Sequence, residues 1–301
     1  MVFTTFDELI AAAKGKPTTA RMAVAAAGDS HTIEAVLMAR AEGIAEPVLV
    51  GDKAAILEAL AEFNATVPEE DIYDVPDLAE SARVAVSLVV EGKADFLMKG
   101  KLDTGILLKA VVNKECGLGQ GRTMSHFTMF QVPGYHKLMV PVDGGMVTYP
   151  TLEQKKDIIL NTVDTLRAMG YDEPKVGVLA CVEKLNPKMP ETVEADALKQ
   201  MNQNGEITGC TVEGPISYDI ALSKEIAEFK KFDSPVAGEA DAMIMPCMAA
   251  GNMLGKSWTV SSNGMMAGII VGAKVPIVLT SRGSTAEEKF YSIALAAAAS
   301  V

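Results

Sequence analysis

Short runs of β-branched and apolar residues alternate with stretches of helical texture along most of this 301-residue chain, and that alternation constrains the fold most. Strand, helix, strand in succession favours a parallel sheet covered by helices, because parallel neighbours need a crossover connection. Strands are predicted at Arg21–Ala27, Pro47–Val50, Ala94–Met98, Thr128–Phe130, Leu138–Val142, Val176–Cys181, Ala242–Pro246, Ile269–Val271 and Val275–Thr280. Helices are predicted at Thr32–Glu42, Ala79–Glu91, Thr104–Asn113, Leu152–Met169 and Thr192–Asn204, with an Ala-rich one running to Ala299. The glycine cluster at 117–121 is the best internal boundary. Arg122 stands where a third glycine would be needed, so the dinucleotide fingerprint is absent.

Composition removes several function classes. Apolar content of 49% and charged content of 22% are ordinary for a globular protein. A net charge of −12 argues against a general nucleic-acid binder but not against an anionic substrate, which local cations would hold. The most apolar stretch, Met265 to Leu279, is broken by Lys274 and Pro276 and falls short of the roughly 20 residues of a membrane span. Asp7 and Glu8 stand where a secretory leader would be basic then apolar, so a cytoplasmic location is expected. Cys116, Cys181, Cys210 and Cys247 form no CxxC pair, and His31, His126 and His136 show no metal-ligand spacing. Reduced, mostly buried thiols and no structural metal are expected.

Two segments carry the pattern of an anion site. In the first, the strand ending at Thr280 is followed by Ser281, Arg282 and Gly283, and Ser284 with Glu287 has the spacing of a capping box. A hydroxyl and a guanidinium at the mouth of a helix N-terminus suit a phosphate-sized anion. In the second, a buried strand ends in Lys99, Gly100 and Lys101, Thr104 can cap the next helix, and Lys109 lies about one turn in. Each segment alone reads equally as an ordinary turn with solvated cations. Glu288, about one turn into its helix, is either a general base or an acidic residue answering the helix dipole.

Other candidates are less specific. Asp143 precedes Gly144 and Gly145 at a strand end, suiting either close approach to a ligand or a tight turn. Ser125 and His126 can donate to a substrate oxygen, or His126 can be structural. Gly251, Asn252, Met253 and Lys256 read as a polar, flexible ligand-contacting segment. GxSxG is absent, so a covalent serine mechanism has no support.

The chain resembles the phosphate acyltransferases (phosphotransacylases), with its nearest likeness to the phosphate butyryltransferase branch. The residues that carry this are Lys99-Gly100 with Thr104, Ser125-His126, Asp143 with Pro150, and Pro174-Lys175-Val176. It continues through Glu213-Gly214-Pro215, Ala240-Asp241, Gly251-Asn252 with Lys256, and Val275 to Arg282. The resemblance implies an α/β protein of two doubly wound domains with a cleft between them, of isocitrate/isopropylmalate dehydrogenase-like type. Residues 1–120 plus 271–301 would form one domain and 121–270 the other. It implies reversible transfer of a short-chain acyl group, butyryl first, between coenzyme A and inorganic phosphate. Coenzyme A would be a substrate, with no tightly bound cofactor, and the assembly a homodimer. Ser281 and Arg282 match the family's phosphate-binding pair, and Glu288 matches the position of the proposed base. Lys99, Gly100, Lys101, Thr104, Lys109, Ser125, His126, Asp143 and Asn252 are the expected substrate contacts. Ala249 stands where the butyryl branch usually shows a Glu. An acetyl-specific enzyme and a non-catalytic homologue that binds coenzyme A or acyl phosphate are the alternatives.

Overall fold

The computed structural model describes residues 2–115, 117–281 and 283–300. Contacts divide them into two compact units, one of Asp7–Gly121 with Ala267–Val301, the other of Met1–Phe6 with Arg122–Met266.

The first unit contains α1 (Phe6–Lys14), β1 (Ala20–Ala25), α2 (Ser30–Ala41), β2 (Ala45–Gly51), α3 (Lys53–Glu62), β3 (Ile72–Asp74), α4 (Leu78–Val90), β4 (Phe96–Lys99) and α5 (Thr104–Val111). The elements of the second unit are β5 (Ser125–Gln131), β6 (Val140–Val142), α6 (Leu152–Ala168), β7 (Lys175–Leu179), α7 (Pro190–Gln203), β8 (Thr211–Ile216), α8 (Tyr218–Leu222), α9 (Lys224–Phe229), β9 (Ala242–Ile244) and α10 (Met248–Ser261). The chain then returns to the first unit through β10 (Met265–Val271), β11 (Ile277–Val278) and α11 (Ala286–Ala299).

Strands of the first unit run in the order β3-β2-β1-β4-β11-β10. β1 pairs in parallel with β2 and β4, and β4 with β11, Leu97 opposite Ile277 and Met98 opposite Val278. The chain moves one way from β1 to β3, then crosses back to lay β4 on the other side of β1. That reversal is a topological switch point, where open α/β sheets leave a crevice beyond their strand ends. The pairing of β10 with β11 is antiparallel, a departure from the purely parallel expectation.

Buried serines and small residues hold this sheet close. Ser81 is fully buried on α4; its Oγ donates to Val50 O at 3.1 Å and accepts from Ala26 N at 2.9 Å, joining the ends of β1 and β2. The Ala-rich sequence of α11 is explained by burial, since every residue from Ile293 to Ala299 is buried. Its packing against α2 needs short side chains.

The second unit holds a parallel sheet in the order β6-β9-β7-β8. Part of its core gathers Phe130, Met139, Ile216, Ile220, Val236, Met243 and Trp258, with the Phe130 and Trp258 rings edge to face at 5.1 Å. Gly255 of α10 admits the Phe130 ring: a Cβ there would stand 2.9 Å from its Cζ. A buried ion pair locks β6 to β9, with Lys137 Nζ donating to Asp241 Oδ1 and to Glu239 O, both at 2.7 Å. Asp241 Oδ2 accepts from Lys175 N at 2.7 Å.

Several local expectations are corrected. Gly251 to Lys256 lie inside α10 rather than in a flexible loop. The last capping box forms one residue later than the spacing suggested, with Thr285 as N-cap and Glu288 as its partner. Asp103, not Thr104, occupies the N-cap of α5. Segments forming α1, α3, β3, β8, α8 and α9 had no sequence assignment. Cys181 is exposed, unlike buried Cys210, whose thiol desolvation pushes up to about 11; Cys116 lies outside the described residues. No helix among the described residues is long and apolar enough to cross a membrane.

Candidate functional site

The carboxyl ends of β1, β4 and β11 open into a cavity of about 480 Å³ within the first unit. Its lining brings Asp29 and His31 after β1 together with Lys99, Gly100 and Lys101 after β4 and Ser281 after β11. Lys289 of α11 also reaches it. The two segments that the sequence marked as anion-binding therefore meet at one place, at the switch point of the sheet.

Gly100 is required by the approach of two backbones. Gly100 N donates to Ala25 O and Lys101 N to Ala26 O, both at 2.8 Å, and a Cβ on Gly100 would stand 2.7 Å from Ala25 O. Lys99 turns its Nζ back to Gly100 O and Leu102 O, each at 3.1 Å, so this cation also shapes the loop it begins. Lys101 is exposed. Ser281 Oγ accepts from Gly283 N at 3.2 Å and lies 3.5 Å from Ser284 Oγ. Arg282 lies outside the described residues.

Lys289 was missed by sequence reasoning. It is 7% exposed, and its Nζ donates to Ser284 O at 3.1 Å. A buried cation one turn into a helix opposes the helix dipole, which favours anionic groups at that end. Its position in an Ala-rich helix was the signal available: a local rule broken without local compensation. Asp29 falls between the predicted strand Arg21–Ala27 and the predicted helix Thr32–Glu42. In the structure it is the N-cap of α2, Oδ1 accepting from Thr32 N at 3.0 Å, and it faces the same cavity as the lysines.

Other predicted residues lie elsewhere. Glu288 does not line the cavity; Oε2 accepts from Thr285 N at 3.3 Å in the capping box of α11. Thr104 opens α5, and Lys109 is exposed in its last turn, neither lining the cavity.

Ser125, His126, Asp143 and Asn252 belong to the second unit and form a loop-bracing group there. Asp143 is 2% exposed, with Oδ1 accepting from Gly145 N at 2.6 Å and Met146 N at 2.7 Å and Oδ2 from His126 N at 2.9 Å. Its lone pairs serve backbone donors, the turn-forming alternative read from the sequence. Asn252 donates to Gly144 O at 3.1 Å. His126 Nδ1 is 3.2 Å from the Thr128 hydroxyl, and desolvation lowers its pKa against the smaller opposing pull of Asp143. Gly145 leaves room for that ring, because a Cβ would stand 2.6 Å from Nδ1. Ser125 is fully buried, 3.5 Å from Asn161 Nδ2. No cluster of metal-ligating side chains occurs among the described residues.

Comparison with known proteins places these features in context. A family model described as Phosphate acetyl/butaryl transferase matches residues 75–297. The phosphate acetyltransferase of Thermotoga maritima is 43% identical, covering 97% of this chain and 98% of that protein. The phosphate butyryltransferase of Clostridium acetobutylicum is 42% identical, covering 97% of each. The crystal structure of a branched-chain phosphotransacylase from Enterococcus faecalis superposes with a TM-score of 0.81 at 30% identity, covering 93% of this chain and 99% of that one.

Proposed function

Because the chain belongs to the phosphate acetyl/butaryl transferase family, we propose that it moves a short-chain acyl group, butyryl in first place, between coenzyme A and inorganic phosphate. The observation that carries this reading is the cavity at the strand ends, where Lys99, Lys101, Lys289 and Ser281 surround a space suited to a small anion. Phosphate held there meets ammonium donors in a partly desolvated setting, where charge-assisted hydrogen bonds are strong. Arg282, next to Ser281 in the chain, supplies the bidentate arm in this reading.

The chemistry asks two things of such a site. A phosphate oxygen attacks the thioester carbonyl carbon, a C–O bond forms, and the C–S bond breaks through a tetrahedral oxyanion. The proton carried by monohydrogen phosphate ends on the coenzyme A sulfur, so the products are acyl phosphate and free thiol. Fixing phosphate between cations supplies proximity and orientation, and donors placed beforehand stabilise the oxyanion. Glu288 is kept as the candidate for the thiol proton, which requires its carboxylate to release Thr285 N–H.

Butyryl is favoured by the butyryltransferase and branched-chain names among the relatives, with acetyl the alternative that the Thermotoga relative supports. The same reading expects a cytoplasmic homodimer with no tightly bound cofactor. The test is thiol release from butyryl-CoA and acetyl-CoA with and without phosphate, for the wild type and Arg282→Ala. Phosphate-dependent release that collapses in the variant supports the reading, and the ratio of the two substrates names the acyl group. Absence of phosphate-dependent release from either substrate opposes it.

A further inference from the structure

Asp29 is the anomaly of the cavity. A site that gathers three lysines around a small anion also contains two carboxylates, Asp29 and Asp103, which repel anions unless they receive a proton from them. Of the two it is Asp29 that carries a buried oxygen without a hydrogen-bond partner among the described residues. Its two oxygens differ. Oδ1 caps α2 through Thr32 N, whereas Oδ2 is buried and has no hydrogen-bond partner among the described residues. A buried acceptor without a donor is unfavourable, so its persistence at a ligand-sized cavity points to a donor supplied from outside the protein. The carboxylate turns as a rigid plane about a soft terminal torsion, so bringing Oδ2 to a ligand also shifts Oδ1 within its 3.0 Å bond from Thr32 N.

The chemistry of small oxyanions says which ligand offers that donor. Near neutral pH inorganic phosphate carries at least one proton, whereas sulfate, of similar size and shape, carries none. We infer that Asp29 is the specificity-determining residue of the cavity, its Oδ2 accepting a hydrogen bond from the protonated oxygen of bound phosphate and rejecting unprotonated sulfate. The lysines supply attraction for either anion, and Asp29 decides between them. The inference rests on the phosphate acyltransferase reading above and adds the basis of its anion selectivity.

The variant that isolates this role is Asp29→Asn. Asn caps a helix as well as Asp does, so α2 keeps its bond from Thr32 N, while an N–H donor takes the place of the Oδ2 acceptor. The full chain is assayed for thiol release from butyryl-CoA with phosphate varied and sulfate added as a competitor. The ratio of the sulfate inhibition constant to the phosphate KM is expected to fall at least tenfold in the variant, with sulfate binding more tightly and phosphate more weakly. Thermal stabilisation by phosphate and by sulfate, measured on the same proteins, reads the same preference without turnover. Asp29→Ser keeps a capping oxygen and lacks both the second acceptor and the new donor. It is expected to lose discrimination without gaining sulfate affinity. A ratio within twofold of wild type in a folded Asp29→Asn protein, by kinetics and by thermal shift, overturns the inference. A wild type without phosphate-dependent thiol release overturns the acyltransferase reading instead, and the thermal-shift preference then decides the role of Asp29 by itself.

Discussion

Replacing Lys289 with Met separates a structural lysine from one that binds phosphate. The side chain is 7% exposed, and Ser284 O is its hydrogen-bond partner among the described residues. Its other ammonium protons are therefore available to an anion in the cavity. A hydrogen bond to a charged group contributes about 1.5–3 kcal/mol. At about 1.4 kcal/mol per factor of ten, loss of one such bond raises the phosphate KM roughly 10- to 150-fold. A point-charge estimate at an effective dielectric of about 20 gives about 4 kcal/mol per unit charge at 4 Å, which sets an upper bound. Met keeps most of the apolar stem and removes a buried charge, so stability should hold or rise. The assay is initial-rate kinetics with phosphate varied at saturating acyl-CoA, then with acyl-CoA varied at saturating phosphate, alongside a melting curve. The reasoning requires the effect to fall on phosphate alone. An unchanged phosphate KM, an equal rise for both substrates, or a melting temperature lowered by several degrees would refute it.

Two further predictions concern the second unit. Asp241→Ala leaves the Lys137 ammonium buried without its carboxylate partner, and breaking such a pair costs about 3–5 kcal/mol. Urea unfolding should show that loss, and Lys137→Met combined with Asp241→Leu should recover most of it; a single-variant loss below about 1 kcal/mol contradicts the account of the pair. His126 gives a pH dependence. Its folded pKa lies below the 6.5 of the free side chain, so above 6.5 its contribution is fully present. As pH falls below 6.5 the unfolded chain takes up the proton first, and stability declines until the folded pKa is passed. Unfolding midpoints between pH 7.5 and about 4.5 should therefore fall more steeply for the wild type than for His126→Gln; parallel profiles would remove His126 from the balance.

The sequence by itself determined the α/β class, because strand and helix periods and cap residues are local properties written within ten or fifteen neighbouring residues. Helices α2, α4, α6 and α7 lie within two residues of the predicted ends at both termini for that reason. It also marked Lys99–Lys101 and Ser281, since a polar cluster following a buried strand is visible without knowing what the strand pairs with. It could not say that the two clusters meet. That follows from the parallel pairing of β4 with β11, segments about 180 residues apart, and from the reversal of strand order beside β1. The same nonlocal arrangement brings Lys289 and Asp29 to the cavity and leaves Lys109 exposed outside it. It also buries Ser125 beside Asn161 and turns Asp143 toward backbone donors. Residue type limits what a side chain can do; which partners it finds, and whether water reaches it, is decided only when distant segments pack.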